Sequence, residues 1–200
     1  MPIELGKLFL LEFLNLQSNQ LHSGSDTTMP FLTALTNCSR LNTLKLRDNK
    51  LVGVLPLAIG KLSTNLSYLT LANNMIEGNI PPHIGNLSSL TYLNLSRNLL
   101  NGSIPSLRNL TKLERLDLGN NKLEGNIPND FEQLRRLGLL DISKNNLSGK
   151  IPNSLGPLKQ LRDLLLHHNQ LSGSIPPNLG NCTNLELLDL SHNSFTRRIP

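Results

Sequence analysis

The chain has 200 residues, a formal net charge of +5, and a composition that is 38% hydrophobic but only 4% aromatic. No apolar run approaches the roughly 20 residues of a membrane span, and the start MPIELGKLFLLEFL, broken by Glu4, Lys7 and Glu12, lacks the layout of an export signal. The nineteen basic residues form no Lys/Arg block and rings are scarce, so the composition speaks against direct membrane insertion and against nucleic-acid binding.

From the N-terminus onward the chain repeats itself. Aligned on runs of Leu-x-x-Leu-x-Leu, the first leucines fall at Leu11, Leu41, Leu66, Leu90, Leu113, Leu137, Leu161 and Leu185. After a first step of 30 residues, the steps are 25, 24, 23, 24, 24 and 24. A fixed period of this length marks a stacked solenoid. In each unit the alternating leucines, such as Leu69 and Leu71, predict a strand of three or four residues with one buried face. An asparagine follows where the chain turns inward, at Asn19, Asn49, Asn74, Asn98, Asn121, Asn145, Asn169 and Asn193. An amide that both donates and accepts suits such a turn, where backbone groups lose their partners.

Glycine comes next, at Gly53, Gly78, Gly102, Gly125, Gly149 and Gly173, where a bend disfavours a side chain. A proline then closes the motif, from Pro56 to Pro200, and stretches such as PHIGNLSSL read as a short helical turn. No unit buries its leucines alone, so the units must stack. The predicted fold is an α/β solenoid, a right-handed horseshoe with a parallel concave β-sheet and short helical or 3-10 turns on the convex side. One array of about eight repeats fills residues 1–200. Met1-Pro2 and Ile199-Pro200 both sit at the Ile-Pro position in mid-motif, so the array reads as a fragment, uncapped at both ends.

Strand positions beside the leucines point to the concave side, where recognition is expected. The position two after the first leucine reads Phe13, Thr43, Tyr68, Tyr92, Arg115, Leu139, Asp163 and Leu187. Two residues further on it reads Asn15, Lys45, Thr70, Asn94, Asp117, Asp141, Leu165 and Asp189. Repeats two to five thus offer a basic and aromatic patch of Lys45, Arg47, Tyr68, Tyr92, Arg97 and Arg115. Tyr and Arg most often anchor interfaces, which makes Tyr68, Tyr92 and Arg115 the leading candidates for a peptide or protein contact.

Other chemistry is thin. Cys38 and Cys182 replace inward leucines six repeats apart, about 30 Å at ~4.8 Å per strand, so both thiols are expected to be free and buried. His168 and His192 share a repeat position and are expected to stack, with His167 beside them, but no Cys or carboxylate pattern completes a metal site. There is no phosphate-cradling loop, no nucleophile elbow and no carboxylate pair outside the repeat register, so catalysis and a cofactor are not expected. Asn-x-Ser/Thr sequons occur at Asn37, Asn65, Asn86, Asn94, Asn101, Asn109, Asn146 and Asn181. Asn94 lies between strand leucines, where a glycan would block the concave face, and Asn101 and Asn146 are better candidates for glycosylation.

The continuations GNIPPHIGNLSSL and GSIPPNLGNCTNL resemble the plant-specific class of leucine-rich repeats over essentially the whole chain. The long first step through PFLTALTNCSRLNTLKLRDNKLVGVLP, followed by IGKLSTNLSYLTLANNMIEGNIP, is similar to the immune-receptor subgroup of plant receptor-like kinases that includes the rice blight-resistance receptor. That resemblance implies a glycosylated segment on the extracellular side of the plasma membrane, a peptide or microbial ligand, a co-receptor kinase as second partner, and a serine/threonine kinase located elsewhere in the protein. A soluble inhibitor of a cell-wall-degrading enzyme, or a non-functional gene fragment, is the alternative reading. Ser23 and Arg197 depart from the glycine position of the motif.

Overall fold

The computed structural model describes residues 2–24, 26–196 and 198. Each unit contributes one three-residue strand to a parallel sheet of eight, numbered here along the whole chain: β1 (Phe13–Asn15), β2 (Thr43–Lys45), β4 (Tyr68–Thr70), β6 (Tyr92–Asn94), β8 (Arg115–Asp117), β10 (Leu139–Asp141), β12 (Asp163–Leu165) and β14 (Leu187–Asp189). The register advances one unit per strand without slipping, so Thr43 pairs with Tyr68, Tyr68 with Tyr92, and Tyr92 with Arg115. Both predicted columns therefore form as read.

The middle residue of each strand turns away from the concave surface, and Leu44, Leu69, Leu93, Leu116, Leu140 and Leu164 lie in one continuous core. The core opens to solvent at the last strand, where Leu188 is 42% exposed while its counterpart Leu164 is fully buried. Phe9 and Leu10 are exposed at the other end.

What joins neighbouring units is the asparagine column. The Asn98 amide donates to the carbonyls of Leu95 and Ser96 in its own turn and to Leu71 in the unit before. Its oxygen accepts from the backbone N–H of Ile76. Asn74 and Asn145 repeat this four-bond pattern. The residue before each asparagine adopts the left-handed conformation, with φ between 52° and 56° at Ser18, Asp48, Asn73, Arg97, Asn120, Lys144, His168 and His192. Such a conformation costs about 1–2 kcal/mol for a non-glycine residue, and the side-chain bonds of the adjacent asparagine offset it.

Beyond the turn the structure departs from a simple bend. The segments around the glycines pair into further parallel sheets: β3 (Val52–Val54), β5 (Met75–Asn79) and β7 (Leu99–Asn101) form one, and β9 (Glu124–Asn126), β11 (Asn146–Gly149), β13 (Gln170–Gly173) and β15 (Ser194–Phe195) form the other. A bridge from Ser103 to Glu124 links the two. The motif glycines sit within or beside these strands at positive φ, from +66° at Gly102 to +105° at Gly53.

Short 3-10 helices follow the prolines at Pro56, Pro81, Pro128, Pro152 and Pro176, each proline serving as N-cap. No 3-10 helix forms after Pro105, where the chain makes only a turn at residues 108–109; this is the 23-residue unit, and its shortened segment still buries Leu107 and Leu110. The long first step folds its extra residues into a one-turn helix, α1 (Pro30–Ala34), with Phe31 and Leu32 buried. Ser23 is buried at its irregular position and accepts from the Val52 N–H, whereas Arg197 lies outside the described residues.

Candidate ligand-binding face

Register brings the aromatic and basic residues of β1, β2, β4, β6 and β8 onto one surface. The rings of Tyr68 and Tyr92, paired across β4 and β6, stack with centroids 4.1 Å apart and planes 2° from parallel. Cations close both ends of this stack. Lys45 Nζ lies 4.9 Å from the Tyr68 ring centroid and 5.5 Å from that of Phe13, and the Arg115 guanidinium lies 5.9 Å from that of Tyr92. Each distance falls within cation–π range. The Tyr68 phenol is pushed up to about 12 by burial and by its hydrogen bond with Tyr92, so it stays protonated and neutral. Phe13, 56% exposed, joins the patch through Lys45. The sequence columns contained Phe13 but did not single it out, because the contact runs diagonally between two columns.

Two other candidates sit apart from the stack. Arg47 Nε bonds Asp48 Oδ2 at 3.0 Å, at the turn that follows β2. Arg97 occupies the left-handed position of the turn after β6 and borders a cleft with Asp117, Asp141, Lys144 and His167. Along this cleft Asp117 and Asp141 face each other in register. Burial, and then the charge of Asp141, raise the Asp117 carboxyl above its usual range, opposed by bonds from the Gly119 N–H, Ser96 and Asn94.

His168 and His192 stack as their shared position predicts, centroids 4.0 Å apart and planes 6° from parallel. Desolvation, then the neighbouring His192, His167 and Lys144, hold the His168 imidazole below its ordinary value. His167 Nδ1 lies 3.2 Å from Asp189 Oδ2, close enough for an ion pair but without hydrogen-bond geometry. Among the described residues no group of three or more His, Cys, Asp or Glu is placed to hold a metal ion. Cys38 and Cys182 are both free and buried, with their Sγ atoms directed at the carbonyls of Leu5 and Leu155.

Seven sequon asparagines, Asn37, Asn65, Asn86, Asn101, Asn109, Asn146 and Asn181, are exposed, and none belongs to the concave sheet. Asn94 does belong to it and is buried. Its amide donates to Asp117 Oδ2 and to the Tyr92 hydroxyl, and its oxygen accepts from the Ser96 N–H and Oγ.

Family models described as leucine-rich repeat match residues 64–123, and residues 40–62, 136–158, 160–182 and 184–200. The chain belongs to the leucine-rich-repeat family. Among its curated relatives, the receptor kinase-like protein Xa21 of Oryza sativa subsp. japonica is 46% identical over 88 residues, covering 44% of this chain and 8% of Xa21. The LRR receptor-like serine/threonine-protein kinase EFR of Arabidopsis thaliana is 42% identical over the same length, with the same coverage. These leucine-rich repeats thus span less than a tenth of the curated relatives they match. A solved structure of the Arabidopsis receptor kinase HAESA in complex with the peptide hormone IDA and the co-receptor SERK1 aligns with 100% of this chain and 33% of its own, at 34% identity and a TM-score of 0.89. The family matches are to leucine-rich repeats and not to a catalytic domain. Among the described residues no helix is long and apolar enough to cross a membrane.

Proposed function

We propose that this chain is a ligand-binding stretch of the extracellular part of a plant cell-surface receptor-like serine/threonine kinase. In this reading the run Phe13, Lys45, Tyr68, Tyr92 and Arg115 contacts a peptide or protein ligand, a co-receptor kinase is the second partner, and the kinase that signals lies outside these repeats. One observation carries the reading: two stacked tyrosines bracketed by cations lie on the concave sheet, outside the leucine core. Flat, partly desolvated rings with few rotatable bonds make strong contacts at low entropic cost. The relatives agree in kind, since HAESA, built on the same fold, is a receptor kinase solved with a peptide hormone and a co-receptor.

The placement of the sequons supports the same face. Glycans on the seven exposed sequons would leave the concave sheet bare, and the one sequon within that sheet has its asparagine side chain fully engaged. Arg47 and Arg97 border the same face from its turn side and take the outer contacts.

The test is selection of random twelve-residue peptides displayed on phage against the bead-immobilised chain. Tyr68→Ala combined with Tyr92→Ala is expected to weaken the selected peptides at least 10-fold, with the thermal midpoint nearly unchanged. Selected peptides that bind the double variant as tightly as the parent would remove this face from the account.

A further inference from the structure

The column directly after each first leucine carries a polar side chain in seven repeats, Glu12, Asn42, Ser67, Thr91, Glu114, Arg162 and Glu186, and a glycine in the sixth, Gly138. Nothing in the backbone asks for glycine there. Its φ lies outside the left-handed region, and an added Cβ would meet only the carbonyl oxygens of Gln160 and Glu114, both at an ordinary 3.6 Å. Its N–H and carbonyl make the same inter-strand bonds as its neighbours in the column, to the Glu114 carbonyl and from the Arg162 N–H.

The missing side chain opens a notch of about 510 Å³ at the start of β8, β10 and β12. Arg115, Arg136 and Arg162 line it together with the carboxylates Glu114 and Asp163. Among the described residues none of these three guanidinium groups forms an ion pair, even with the two carboxylates lining the same notch. Arg115 also ends the tyrosine stack, so the notch continues the proposed ligand face.

We propose that this notch receives the carboxylate of an acidic side chain from a peptide lying along the concave sheet. A planar guanidinium presents donors in a fork that matches a carboxylate, and a charge-assisted pair of this kind gives both affinity and orientation. Gly138 supplies the depth, and the arginines supply the charge. The inference rests on the peptide-binding reading above, and names one chemical feature of the ligand.

The experiment uses the same twelve-residue phage library. Peptides selected on the parent chain are expected to share one Asp or Glu position, and changing it to Asn or Gln should weaken them about 10-fold. Gly138→Gln fills the notch with a side chain of the size the column elsewhere accepts. It should remove that difference, binding the acidic and amide peptides alike, while Arg162→Gln should shrink it with the melting midpoint unchanged.

Selected peptides with no shared acidic position overturn the proposal, as does an acid-to-amide difference that survives in both variants. If Tyr68→Ala with Tyr92→Ala still weakens those peptides, only the notch assignment has failed. If that double variant has no effect while Gly138→Gln abolishes the acid preference, the notch stands and the tyrosine face has failed.

Discussion

Asn98→Ala is expected to destabilise the array by about 3 kcal/mol, whereas Asn19→Ala should cost less than about 1 kcal/mol. The asparagines look alike in sequence, but their bonding differs. Asn98 is buried and joins two units with four hydrogen bonds. The carbonyls it contacts keep other partners: Leu71 still accepts from Asn74, Leu95 from Asn121, and Ser96 from the Asn73 N–H. The N–H of Ile76 does not, and an unpaired donor in a buried site carries the larger share of the cost. Asn19 is exposed and bonds only two carbonyls of its own turn. Urea unfolding of the two variants measures the contrast, and equal losses would show that the column does not hold the repeats together.

Gly53→Ala is expected to cost about 3 kcal/mol and Gly125→Ala about 1 kcal/mol, although both replace a motif glycine at positive φ. At Gly125, with φ +79°, an added Cβ meets nothing nearer than the Ser103 Cβ at 3.8 Å, so only the backbone preference is lost. At Gly53, with φ +105°, the Cβ would sit 2.0 Å from the Thr27 carbonyl oxygen. That carbonyl accepts from the Val54 N–H, so the added methyl must push away the extra loop of the first long step and break its hydrogen bond. Faster proteolysis within residues 22–29 of Gly53→Ala, unseen in Gly125→Ala, would place the damage at that loop. Equal midpoints for the two variants would contradict this assignment.

Much of this architecture is legible in the residues. Alternation of period two, repeated eight times, places every strand of the concave sheet, because a slip of one residue would turn each leucine to solvent. The strand columns, the asparagine column and the His168–His192 stack follow from that register. The second tier of sheets does not, since its strands run through glycines at positive φ and such glycines signal turns more readily than pairing. The left-handed residues before each asparagine are also silent in the sequence: Ser18, Arg97, Lys144 and His192 share no chemistry, and the neighbouring asparagine imposes their conformation. At the candidate site, Tyr68, Tyr92, Lys45 and Arg115 could be placed on one face, but not the reach of Lys45 toward Phe13, which crosses columns. The role of Gly138 is not legible in the sequence, because glycine is common in these units and only the geometry shows that the backbone does not require this one.

The central claim is that the concave surface of β4 and β6 is where the ligand lies. With Leu69 and Thr70 following it, the single substitution Tyr68→Asn completes an Asn-x-Thr sequon, and so builds a glycan onto that surface when the chain is secreted from a eukaryotic cell. The measurement is the affinity of the glycosylated variant for the peptides selected on the parent chain, with the unglycosylated fraction of the same variant as internal reference. The account predicts at least a 100-fold loss on glycosylation at an unchanged melting midpoint. Equal affinity of the two fractions would contradict it.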